Sequence, residues 1–211
     1  AWAWEGRRMQ YYLHNFLTSQ PDLNFHEPAV QDALLDVARF WLERGVDGFR
    51  LDTINFYFAD KLLRDNPALP PEKRNDSIAP SVNPYNWQEH IHSKNQPENL
   101  DFLAKMRLLT DEFEARMMVG EVGDSHHSIQ LMGQYTSGHR VHQCYSFEML
   151  GADFSPRHFR SKIEGFFTGA PEGWPCWAFS NHDVNRHVTR WMDHAVSPEA
   201  LAKQAAALLL S

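Results

Sequence analysis

Twice in this chain a helix-like stripe of apolar side chains runs straight into a short apolar strand, and that order limits the fold more than any other feature. In EPAVQDALLDVARFWLERG, Val30, Leu34, Val37 and Trp41 recur at the offsets of one helical face. Pro28 suits the first turn, Gly45 suits the exit, and the strand VDGFRLD follows at once. The pattern returns in ENLDFLAKMRLLTDEFEARMMVGEVG, where Phe102, Met106, Leu109 and Phe113 lead into the strand MMVGEV. A third strand is expected at PCWAFSNHD. Near the C-terminus SPEALAKQAAALLLS reads as a further helix, capped by Ser197 with Pro198 in its first turn. Helix, strand and loop in repetition argue for an α/β protein with parallel strands.

Charge and composition narrow the function classes. A net charge of −7 repels phosphate backbones, so nucleic acid is not an expected partner. No run approaches the length of a membrane span. The opening AWAWEGRRMQ lacks both an initiator Met and the basic-then-apolar order of a signal peptide, so the chain is expected to be an excerpt of a longer one. Cys144 and Cys176 fit no zinc spacing and are expected to be ordinary thiols. They suit a reducing compartment, so the expected location is the cytoplasm, with the periplasm as the alternative. Residues 63–99 hold Pro67, Pro70, Pro71, Pro80, Pro84 and Pro97, too long a loop to be mere linkage in a compact domain. Tyr85, Trp87, His90 and His92 within it suggest an ordered lid or rim.

Each expected strand ends in a polar cluster, and parallel α/β folds gather chemistry at the carboxyl ends of their strands. The first reads as a buried strand that nevertheless carries Arg50 and Asp52. Alternation puts Gly48, Arg50 and Asp52 on one face, with Phe49 and Leu51 on the face that packs on helices. A guanidinium beside Asp52 favours an ionised, aimed carboxylate, as a nucleophile needs; an ion pair that merely fixes register is the alternative. Glu121 stands in MVGEVG, with few counter-charges near it in sequence. A carboxyl in apolar surroundings can hold a proton to donate, or simply bond backbone at a strand end. SNHDVNRH adds His182, Asp183 and Arg186, residues that bind sugar hydroxyls, bind a metal or cap a helix. Two carboxyls of opposed proton affinity are what glycoside cleavage requires.

GVDGFRLDTIN, GEV and FSNHD, in this order, resemble three conserved regions of the α-amylase family of glycoside hydrolases, family 13. YYLHNFLTSQPDLNFHEPAV, followed by FWLERGVDGFRLD, resembles its α-glucosidase and oligo-1,6-glucosidase branch. The resemblance implies a partial TIM (β/α)8 barrel, roughly strands four to seven with their helices. Residues 1–25 would end a domain inserted after strand three, and residues 26–211 would belong to the catalytic barrel. It further implies that Asp52 is the nucleophile, Glu121 the general acid/base and Asp183 the transition-state stabiliser. Arg50 and His182 would bind at the sugar ring and orient the carboxylates, and Arg186 would be a further substrate-site residue. Thr53 follows the nucleophile where a Val accompanies α-1,6 preference and a small or hydroxylated residue α-1,4, so it tips specificity toward α-1,4 or sucrose-type links.

The implied activity is hydrolysis of terminal α-glucosidic bonds in small glucosides or oligosaccharides, by a retaining mechanism. Such a mechanism places its two carboxyls about 5–5.5 Å apart. A transglucosylase or sucrose isomerase would use the same three acids. A non-catalytic sugar-binding or transporter-associated relative would lose some of them. A metal-dependent barrel enzyme using Asp52, Glu121 and Asp183 as ligands is disfavoured by Arg50, whose cation would repel the metal. The family's calcium loops fall outside this stretch, so no metal and no cofactor is expected. A complete barrel needs eight strands, so the excerpt alone is expected to be inactive.

Overall fold

The computed structural model describes residues 2–74, 82–124 and 126–211; Pro80 of the long segment falls outside them. Two strands, β1 (Trp2–Glu5) and β2 (Gln10–Leu13), form an antiparallel hairpin. Then follow α1 (Pro28–Glu43), β3 (Gly48–Leu51), α2 (Asn99–Asp111), β4 (Met117–Val122), α3 (Ser128–Thr136) and β5 (Gln143–Ser146). The chain ends with α4 (Pro156–Gly169), the single turn α5 (His187–Arg190) and α6 (Pro198–Leu209). β3, β4 and β5 pair in that order, all parallel.

The junction of α1 and β3 shows why helix gives way to strand where it does. Val46 N–H bonds the Trp41 carbonyl and Gly45 N–H bonds that of Leu42, the paired closure of a Schellman motif. Gly45 sits at φ 89°, a left-handed conformation that glycine adopts without a Cβ clash. At Gly48 the demand is harder. Its φ is 152°, and a Cβ there would lie 1.8 Å from the Met117 carbonyl oxygen, so only glycine lets β3 lie against β4.

Register then sorts the side chains. Arg50 pairs with Val119 and Glu121 pairs with Tyr145, which puts all four on one face of the sheet. Met118, Val122 and Cys144 point the other way, into a core completed by Ala38 and Leu42 of α1, by Phe102, Leu103 and Met106 of α2, and by Leu131 and Met132 of α3. Phe49 and Leu51 pack against that core, as alternation requires. A second cluster gathers Met149, Phe159, Phe179, Trp191, Leu201 and Ala205 around α4 and α6.

Two expectations are corrected. The stripe on α1 is rotated: Ala38 and Leu42 are its buried residues, while Val37 is 56 % and Trp41 48 % exposed. The helix docks on the face one position round, where Leu34, Leu35, Ala38 and Leu42 join the core beside α2. No strand forms across Pro175–Asp183. The one pairing there is an isolated parallel bridge between Pro175 and Cys144, and the third strand of the sheet is β5 instead. Proline has no N–H for a ladder; Cys176 N–H still bonds the Cys144 carbonyl at 3.2 Å, but the Phe179 carbonyl is met by the Arg190 side chain. Thr53 lies two residues past β3 at φ 39°, ψ 50°. Both cysteines are free, as expected, Cys144 buried and Cys176 half-buried.

Candidate active site

Arg50 is the hub of the polar face. Its Nη1 pairs with Asp52 Oδ1, its Nη2 lies 2.6 Å from Glu121 Oε1, and the same nitrogen donates to the Tyr145 hydroxyl at 2.9 Å. Tyr145 in turn donates to Glu121 Oε1 at 2.7 Å. The other carboxylate oxygen of Glu121, Oε2, accepts the Thr53 backbone N–H at 3.3 Å. One guanidinium therefore bridges the residues that end β3 and β4, with β5 supplying a phenol between them.

Burial divides these groups. The Asp52 side chain is 69 % exposed and that of Arg50 35 %, so the strand does not bury its charges. Glu121 does lie inside, 2 % exposed, and the charge the sequence did not show near it is Arg50 from the neighbouring strand. Partial burial pulls the Arg50 guanidinium down, but its bonds to Tyr145 and Asp52 and the nearby Glu121 outweigh that and hold it above its usual range. Burial first, and then the bond to Glu121, push the Tyr145 phenol up to about 12, so at neutral pH it is a donor.

A second network pins the turns beyond the two strands. Asn55, fully buried in the 3-10 turn Ile54–Phe56, accepts Gly123 N–H at 3.0 Å and donates to the Gly123 carbonyl at 3.1 Å and to Asn95 Oδ1 at 2.9 Å. Lys94 bonds the Gly123 carbonyl at 3.0 Å and pairs with Asp124 at 3.1 Å, both charges buried. Asp124 also accepts from Asn95 and from the His126 and His127 N–H groups. Burial opposes its ionisation, yet Lys94 and these donors hold the carboxyl well below the usual carboxylate range. The exit of β3, the exit of β4 and the long segment are thereby locked to one another. Within that segment Tyr85 stacks on His90 at 3.7 Å and Asp60 N–H bonds the His92 carbonyl, so its described part is tied to the body.

His182 and Asp183 are placed differently. They face each other at 3.5 Å on an exposed bend, and among the described residues no hydrogen bond or ion pair joins them or Arg186 to Arg50, Asp52 or Glu121. Asp52 and Thr53 line a cavity of about 510 Å³ walled by Phe16, Leu34, Val37 and Trp41. A larger one, about 810 Å³, lies between the long segment and α3, away from the three acids. Among the described residues no three His, Cys, Asp or Glu side chains gather as a metal-binding group.

Tyr145, Asn55, Lys94 and Asp124 escaped the sequence reading. QCYS is too short to announce a strand, and Lys94 and Asp124 lie in stretches without periodicity. Asn55 alone left a signal, a single amide within the apolar run INFYF.

The geometry joins an arginine, two acids at neighbouring strand ends and a parallel sheet, and a sequence model of the alpha-amylase catalytic domain matches residues 1–211. The chain belongs to the alpha-amylase family. It is 62 % identical to a probable alpha-glucosidase of Rhizobium meliloti (strain 1021), over 100 % of this chain and 39 % of that protein. It is 33 % identical to maltase A1 of Drosophila melanogaster, over 90 % of this chain and 35 % of that one. Among solved structures, an alpha-glucosyl transfer enzyme, XgtA, superimposes with a TM-score of 0.89 at 52 % identity, covering 94 % of this chain and 37 % of its own. A trehalose-6-phosphate hydrolase of Bacillus licheniformis gives a TM-score of 0.71 at 26 % identity, over 93 % and 34 %. The chain thus spans about a third of the length of the relatives it matches.

Proposed function

We propose that this chain carries the nucleophile and the acid/base of a retaining α-glucosidase that hydrolyses terminal α-glucosidic bonds of small glucosides, α-1,4 or sucrose-type. The observation that carries the reading is the Arg50 bridge between Asp52 and Glu121. Contact of one guanidinium with both acids supports the short separation of a retaining pair, about 5–5.5 Å. They also differ in surroundings, Asp52 open to an incoming sugar and Glu121 buried among donors.

In this mechanism an Asp52 oxygen attacks the anomeric carbon as the glycosidic C–O bond breaks. The bonding pair goes to the leaving oxygen, which takes a proton from Glu121. Water then attacks the glucosyl ester, its proton passes to the Glu121 carboxylate, and Asp52 leaves as carboxylate. Asp183 stabilises the oxocarbenium-like transition state, with Arg50, His182 and Arg186 at the sugar ring and Thr53 on the side that senses linkage. The three parallel strands and the Pro175 bridge fit roughly strands four to seven of a TIM barrel, and the β1–β2 hairpin fits the end of an inserted domain.

Asp52→Asn in the full-length protein tests this. Turnover of p-nitrophenyl α-glucoside is expected to fall ~10⁴-fold or more with the thermal midpoint nearly unchanged, because Asp52 is exposed. Retained activity ends the assignment. A transglucosylase is the second reading, favoured by the likeness to the alpha-glucosyl transfer enzyme. Products from sucrose and maltose separate the two: free glucose for hydrolysis, new glucosides for transfer.

A further inference from the structure

We infer that Tyr145 is a positioning residue for the proton on Glu121: its hydroxyl, with Arg50, occupies Oε1 and so assigns the transferable proton to Oε2. The inference rests on the reading of Glu121 as acid/base. Parallel register sets Tyr145 directly beside Glu121, and the phenol is long enough for its oxygen to reach the carboxyl at 2.7 Å. The same oxygen accepts from Arg50 Nη2 at 2.9 Å, so the donors run in one direction, guanidinium to phenol to carboxylate. Arg50 Nη2 also lies 2.6 Å from Oε1. A proton placed on Oε1 would meet the Tyr145 hydroxyl hydrogen and the Arg50 cation. Oε2 faces only the longer Thr53 N–H contact at 3.3 Å.

Polarity follows from burial. Tyr145 and Glu121 are both nearly excluded from water, where a hydrogen bond to developing charge gains most. When Oε2 releases its proton to the leaving oxygen, the negative charge on Glu121 is met by the Tyr145 donor and the Arg50 cation already in place. Tyr145 keeps its own proton throughout. The contribution is greater after proton transfer than before it, which is the condition for acceleration.

Leaving-group dependence tests this. In the full-length protein, Tyr145→Phe keeps the ring and removes the donor. Its kcat/KM is expected to fall about tenfold or more on whichever of maltose and sucrose the protein cleaves, since a sugar oxygen must be protonated to depart. On α-glucosyl fluoride, whose fluoride departs with little acid help, the loss is expected to stay below about twofold. Equal losses on both substrates, or none, overturn the inference, since a purely structural role would slow both alike. Glu121→Gln run beside it separates the two claims. If that variant is selective for the sugar leaving group and Tyr145→Phe is not, only the role of Tyr145 falls; if Glu121→Gln is itself unselective, the acid/base reading falls. Should Phe at 145 prevent folding, 3-fluorotyrosine preserves the hydroxyl and the packing. It must change the ratio of the two rates, and an unchanged ratio is equally fatal.

Discussion

Asp52 and Glu121 stand at the ends of strands joined by a parallel ladder, while Asp183 stands on a bend that crosses a second core with one bridge beneath it. Around the first pair, position is set by backbone: Gly48 lets β3 close on β4, register brings Arg50 to Glu121, and Asn55 ties the two exits. Around the second, side chains do the holding. Arg190 donates to the Phe179 carbonyl at 2.6 Å and the Gly151 carbonyl at 2.8 Å, and Trp191 Nε1 donates to Gly151 at 3.0 Å. Phe154, Phe159 and Phe179 crowd the buried Trp191 ring at 5.0–5.7 Å. A ladder fixes an acid through many small bonds, whereas the bend depends on a few large side chains. The second arrangement is the easier to lose at a stroke.

Removing the central ring should break that contrast most forcefully. Trp191→Ala is expected to cost ~3–5 kcal/mol, the range for truncating a buried aromatic. Amide exchange checks where the loss falls. Protection should drop across 178–191 and in α6 while the β4 amides stay slow. Trp177 packs against both clusters, so it is the route by which damage would spread. Uniform loss across β4 would show the two regions to be one cooperative unit and the contrast to be empty.

The ladder side has its own weak point in the buried Lys94–Asp124 pair. Asp124→Asn keeps the shape but strands the Lys94 charge, at an expected cost of ~3 kcal/mol read from thermal or urea unfolding at pH 7. The sign of the pH effect follows from the depressed carboxyl. Asp124 is ionised more readily folded than unfolded, so its contribution is complete above the unfolded value, near 4, and is lost as pH falls below it. The stability difference between native and variant should therefore narrow from pH 4 downward. A gap constant to pH 2 would mean that the pair does not lock the strand exits.

The same contrast explains what could be read from sequence. β3 and β4 were legible because each follows an amphipathic helix, and glycines mark the turn and the close approach. The acids Asp52 and Glu121 were legible because they end those strands. Their partnership was not, since 71 positions separate Arg50 from Glu121 and only register joins them. Tyr145 was hidden in a strand of four residues. The run PCWAFSNHD misled in the opposite sense. Its aromatic, apolar character looks like a strand, but the rings serve the Trp191 cluster, and backbone groups that a ladder would satisfy are met by Arg190. Local pattern reveals elements that carry their own signals; it is silent where distant side chains decide.

The smallest expected effect tests whether the bend can be disturbed gently. Ser197 caps α6, its Oγ accepting Ala200 N–H at 3.1 Å with Pro198 in the first turn. Ser197→Ala should cost ~1 kcal/mol, visible as a small drop in thermal midpoint and faster exchange in the first turn of α6. α6 supplies Leu201 and Ala205 to the second core, so fraying reaches the Trp191 cluster before it reaches any strand of the sheet. If the ladder holds Asp52 and Glu121 independently, kcat/KM of the full-length protein on α-glucosyl fluoride should fall less than about twofold. A fall larger than the stability change would mean that the helix start is transmitted through the aromatic cluster into the site, and that the bend and the ladder position their acids together.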